Sequence, residues 1–140
     1  MLSNTIKTRD HLPQIIDILS KYGLTSNNLE IVLSTQSWAS KRGIKSVSRD
    51  ILGFSTVETN HKTNTKKEII VLLEEMSLGD IGSVLSRIDY PVTKPTKFIK
   101  TDEKFIEHLV LHEIGHVVQG ISQKDEEKAD DFAFKAMGLM

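Results

Sequence analysis

Apolar positions along the chain switch between two periodicities. Leu12, Ile15, Ile16 and Leu19 recur at helical spacing and predict a helix over residues 10–22. Pro13 is tolerated there in the first turn, and Gly23 follows as a stop. The run LEIVLS at 29–34 is rich in β-branched residues and predicts a buried strand. Segments 51–59 and 68–74 predict two further strands, joined by a polar, turn-forming stretch at 60–67. Segment 36–43, which carries Trp38, is ambiguous and admits a short helix. Helical spacing returns at 77–88 with Leu78, Ile81, Val84, Leu85 and Ile88, and Ser77 and Asp80 stand as a capping box. An extended connector with Pro91 and Pro95 spans 89–100. A long helix is then expected over 102–119, with Thr101 as N-cap, two acids in its first turn and Gly120 as stop. A last helix is expected from Ser122 as N-cap to about Met137. Three strands and four helices, segregated rather than alternating, predict an α+β fold built on a small three-stranded sheet.

Composition narrows the functional classes. A chain of 140 residues fits one domain, here spanning 1–140, and buries about two-thirds of its unfolded surface. Eighteen basic residues against nineteen acidic ones give a net charge of −1, which argues against a nucleic-acid partner. With no cysteine, disulfides, thiolate metal sites and cysteine nucleophiles are excluded. The longest apolar runs, such as 69–73, fall far short of a membrane span, and residues 1–10 lack the apolar core of a signal peptide. The expectation is a soluble cytoplasmic protein without a membrane partner; its oligomeric state stays open.

The chemistry is concentrated in Leu111-His112-Glu113-Ile114-Gly115-His116, an HExxH pattern. Residues four apart on a helix share a face, about 6 Å apart along the axis, so His112 and His116 can present two imidazoles to one metal ion. Glu113 lies about 100° round the helix, where it reaches a water on that metal more easily than the metal itself. A zinc ion lowers the pKa of such a water to about 7, and the carboxylate can take its proton. Ile106, Val110, Leu111, Ile114, Val117 and Val118 gather on one side of the helical wheel. The histidine face is therefore expected to look into open space, with Gly115 leaving room for a ligand near the backbone.

A catalytic zinc needs a third protein ligand and one open position. Downstream, 125–133 contains two overlapping ExxxD pairs, Glu126 with Asp130 and Glu127 with Asp131. The inward face of this helix is expected to be Ala129, Phe132, Ala133, Ala136 and Met137. Glu126 and Asp130 border that face, so Glu126 is the expected third ligand and Asp130 the acceptor for a ligating histidine's free N–H. Glu127 and Asp131 point away, as a solvated first turn favoured by the helix dipole.

LHEIGHVVQG followed by EEKADDFAFKAM resembles the gluzincin clan of zinc metallopeptidases, over about 107–137. The resemblance extends to the ImmA/IrrE regulatory peptidases and HtpX-type membrane peptidases, and in size to the small minigluzincins. It implies a zinc peptidase that hydrolyses a peptide bond in a peptide or protein substrate, with Glu113 as general base. Two other readings stay beside it: a regulatory peptidase of one repressor or antitoxin, and a latent or non-catalytic zinc module. Such enzymes often take a Tyr or His from further downstream to stabilise the oxyanion, and the sequence offers none after Met140. Tyr90, Arg87, His61 and His108 are the upstream candidates, His108 standing one turn before His112. Either 51–59 or 68–74 could be the edge strand that holds an extended substrate.

Overall fold

The computed structural model describes residues 1–45 and 51–140. Among them run β1 (Thr5–Lys7), α1 (Leu12–Ser20), β2 (Leu29–Val32), α2 (Thr35–Lys41), β3 (Gly53–Asn60), β4 (Thr65–Leu72), β5 (Glu75–Ser77), α3 (Leu78–Asp89), α4 (Asp102–Val117) and α5 (Glu126–Ala136). The fold is α+β, with a three-stranded sheet in the order β2-β4-β3 and a two-stranded ribbon of β1 and β5. β4 runs parallel to β2 and antiparallel to β3. Its centre, Ile69 to Leu72, is wholly buried, as expected of an apolar run covered on both faces.

The β3–β4 hairpin is longer than the apolar pattern predicts. Pairing continues to Asn60 opposite Thr65, so β4 starts three residues before the expected 68. Asn64 closes the turn in the left-handed region, at φ 53°. This polar end is exposed; backbone pairing, not burial, makes it a strand.

β1 and β5 have no counterpart in the expected elements. Each is three residues long, too short to show alternation, and each contributes one buried apolar side chain, Ile6 facing Met76. The N-terminus is tied down further by Ser3, whose backbone N–H donates to Asp102 Oδ1 at 2.8 Å. The ambiguous segment carrying Trp38 is a helix, capped by Ser34 Oγ accepting from the Ser37 N–H at 3.1 Å. α1 turns its expected stripe by one position: Ile15, Ile18 and Leu19 are buried, whereas Ile16 is 52% exposed.

Helix starts follow their side chains. Ser77 and Asp80 form the reciprocal capping box of α3, at 3.1 and 3.0 Å. Thr101 Oγ1 accepts from the Lys104 N–H at the head of α4. α5 differs. Its N-cap is Asp125 rather than Ser122, whose hydroxyl instead accepts from the Lys124 N–H within the preceding loop.

α4 is the central element. It packs against α1, α5 and β3, and Phe105, Ile106, Val110 and Ile114 are fully buried on it. Among the described residues no helix is long and apolar enough to cross a membrane.

Candidate metal centre

α4 has no solvent face along its second half: every residue from His108 to His116 is buried. The histidine face expected to be open is thus mostly covered, and it stays open only where a cleft reaches His108 and His112. α5 lies across this face, because Ala129 and Ala133 carry too little side chain to hold the helices apart. Gly115 serves this packing rather than ligand access. A Cβ there would stand 3.2 Å from Phe132 Cδ1, 3.4 Å from Ile121 Cδ1 and 3.6 Å from Ala129 Cα. Gly115→Val should accordingly lower stability by about 1–3 kcal/mol through overpacking, read as a fall in thermal midpoint. An unchanged midpoint would show that the two helices separate freely.

The inward face of α5 is also rotated from expectation. Phe134 is fully buried and Ala136 is exposed, so Asp130 sits inside the interface and not merely at its border. Asp130 Oδ1 lies 2.7 Å from His112 Nδ1 and 3.2 Å from His108 Nε2. Burial disfavours its charge, but hydrogen bonds from His108 and His112 outweigh that and hold the carboxyl at about 2.

His112 Nε2, on the other side of the ring, is 2.8 Å from Glu126 Oε2 and 3.3 Å from His116 Nε2. His116 Nε2 is 3.2 Å from Glu126 Oε1. His112, His116 and Glu126 thus bring three ligand atoms to one point, a grouping able to hold a metal ion. His108, His112 and Asp130 form a second such grouping, whose atoms are already used in hydrogen bonds between one another.

Tautomers decide what the convergent atoms offer. His116 Nδ1 is 2.9 Å from the Ile121 carbonyl, which only accepts, so Nδ1 carries the hydrogen. His112 Nδ1 faces the ionised Asp130 and carries its hydrogen for the same reason. In the neutral rings both Nε2 atoms then present lone pairs to each other and to a carboxylate. Three acceptors pointing at one another require a cation between them, either a proton or a metal. A proton answers part of this. Burial disfavours charge on His112, but Asp130 and Glu126 on its two nitrogens raise it to about 10. The two Nε2 atoms stand 3.3 Å apart and His116 Nε2 lies 3.2 Å from Glu126 Oε1, close enough to share one ion, whereas the 2.8 Å from His112 Nε2 to Glu126 Oε2 is a hydrogen-bond distance.

Glu113 stands beside this point, buried, with Oε1 lacking any protein partner. Burial and the nearby Glu126 carboxylate push its carboxyl up to about 7, against the pull of His112, His116 and Ser55. A cleft of about 440 Å³ opens onto His112, Glu113, Glu126 and Asp130. Its walls are Leu52, Gly53 and Phe54 beside and on β3, and Val84, Arg87 and Ile88 on α3. The Glu126 side chain is 61% exposed, so the convergent point is reached from solvent.

No protein-family model matches this chain, and no curated protein or solved structure is significantly similar to it. The assignment of residues to roles therefore rests on this geometry. Of the upstream candidates, Arg87 and His108 line the cleft. Tyr90 does not: α3 ends at Asp89, the backbone turns extended there, and the ring is 83% exposed. His61 lies in the exposed turn at the tip of the β3–β4 hairpin, away from the cleft lining. Glu127 and Asp131 do point away from the centre. They are held by Lys94 Nζ at 3.2 and 3.0 Å, which pins the connector before α4 to α5. Sequence reasoning also misses Ser55, whose hydroxyl is buried against Glu113 and accepts from Gln123 Nε2 at 2.7 Å. No local pattern marks such a contact, because its partners, Glu113 and Gln123, lie far along the chain from it.

Proposed function

We propose that the chain is a zinc-dependent metallopeptidase of gluzincin type. The observation that carries this reading is the convergence of His112 Nε2, His116 Nε2 and a Glu126 oxygen next to the buried, unpartnered Glu113 Oε1. Two imidazoles and a carboxylate suit zinc, and three protein donors leave one position of a tetrahedron open. Zinc bound there supplies a Lewis acid that makes a water nucleophilic near neutral pH.

The chain's own residues divide the remaining work. His112 and His116 bind through Nε2, their rings oriented by Asp130 and by the Ile121 carbonyl. Glu113 takes a proton from the attacking water as its oxygen bonds to the carbonyl carbon. When the C–N bond breaks, Glu113 returns that proton to the leaving nitrogen. In the metal-free protein burial holds this carboxyl up at about 7, and a bound cation beside it would favour the ionised form that accepts the proton. β3 is an edge of its sheet, and its first residues wall the cleft, so an extended peptide can add backbone hydrogen bonds there. That favours a peptide over a compact small-molecule substrate.

Metal content tests the ligand set directly. Wild type should carry about one zinc per chain, Glu126→Ala should lose most of it, and Glu127→Ala should keep it. Equal zinc in the two variants would remove Glu126 from the centre. No zinc after reconstitution of wild type would end the metallopeptidase reading.

A further inference from the structure

β3, α4 and the loop between α4 and α5 meet at one buried hydroxyl. Ser55 is 8% exposed and lies on β3 opposite Ile70. The Gln123 amide donates to its Oγ at 2.7 Å. With that lone pair occupied, the Ser55 hydroxyl hydrogen is free to donate, and the acceptor it faces is the Glu113 carboxylate. Glu113 Oε1 keeps no protein partner although it is buried. One part of the carboxylate is thus held while one oxygen is left for a reacting group.

We propose that Ser55, oriented by Gln123, is a positioning residue that fixes the rotamer of Glu113 and aims its free oxygen at the open position of the metal centre. This rests on the reading of Glu113 as the base beside that centre. A glutamate with no anchoring donor can rotate about its side-chain torsions, and the chain Gln123–Ser55–Glu113 removes that freedom. It also ties the base to the strand proposed to hold substrate, so that base and peptide share one rigid support.

The test uses full-length protein reconstituted with zinc and two readouts independent of turnover. These are zinc per chain by elemental analysis, and affinity for acetohydroxamate by calorimetry, since a hydroxamate gives a proton to the neighbouring carboxylate as it binds. Ser55→Ala should retain zinc and bind acetohydroxamate about tenfold more weakly, the scale of one lost hydrogen bond to a charged group. Ser55→Thr should restore most of the affinity. Gln123→Leu should weaken binding in the same direction and add little to Ser55→Ala, as members of one chain do. Ser55→Ala with wild-type affinity, in a protein whose Glu113→Gln variant is weakened, overturns the proposal and leaves the base in place. Loss of zinc in Ser55→Ala also overturns it, because Ser55 would then support the fold of the centre and not the base. If Glu113→Gln binds acetohydroxamate as well as wild type, the general-base reading itself fails and takes this inference with it.

Discussion

Glu113→Gln should leave about one zinc per chain in place and cut peptide hydrolysis by at least about a hundredfold, the lower end for a lost general base. The substitution is nearly isosteric, so burial and contacts with β3 are kept. The amide cannot accept a proton from water or carry one to the leaving nitrogen. Zinc should stay because Glu113 is not among the three convergent ligand atoms. The fold should lose nothing, and can gain, since a neutral amide replaces a carboxyl whose ionisation burial disfavours. Elemental analysis, a thermal melt and a fluorogenic peptide assay on the same preparation separate these effects. Hydrolysis persisting at the wild-type rate would exclude Glu113 as the base.

His116→Ala should weaken zinc by more than the roughly 10–100-fold typical of losing a ligand's supporting partner, because here a ligand itself is lost. It also removes the 2.9 Å hydrogen bond that ties α4 to the Ile121 carbonyl. A destabilisation of about 2–3 kcal/mol in the metal-free protein is expected from that bond and the cavity left behind. Chelation of wild type should reproduce the loss of metal without the loss of the bond, so the chelated protein should melt above the variant. An identical melt for the two would mean that the Ile121 contact contributes nothing.

Acid should release the metal from wild type. Protons compete for His112 Nε2, and with its pKa raised to about 10 the ring must shed a proton to bind a metal at neutral pH. Apparent affinity should therefore rise about tenfold per pH unit between pH 7 and 9. In the metal-free fold the sign is opposite. The raised pKa stabilises the folded state fully below about 6.5, and that contribution is lost as pH rises toward 10. Competition titrations with a zinc indicator at several pH values would show the slope; a flat profile would mean that His112 binds no metal.

Much of this centre was legible locally. HExxH places two imidazoles on one face because helical geometry alone spaces residues i and i+4, and the phase of 125–133 separates Glu126 from Glu127 for the same reason. Caps at Ser77 and Thr101 were equally readable, since each depends on atoms within three residues. The errors arose where partners are distant. Gly115 reads as open space until α5 is laid across it. β1 and β5 exist only through each other.

The sequence by itself determined which residues could ligate a metal, their order on two helices, and the α+β class. Those follow from periodicity and side-chain chemistry, which are short-range. The expected contact of Asp130 with a ligating histidine is there at His112 Nδ1, but tertiary structure alone decided that α5 crosses the histidine face, that Asp130 also reaches His108, and that Ser55 meets Glu113. Such contacts depend on how close two helices and a strand approach, a distance set by the small side chains of Gly115, Ala129 and Ala133 packing together and not by any spacing along the chain.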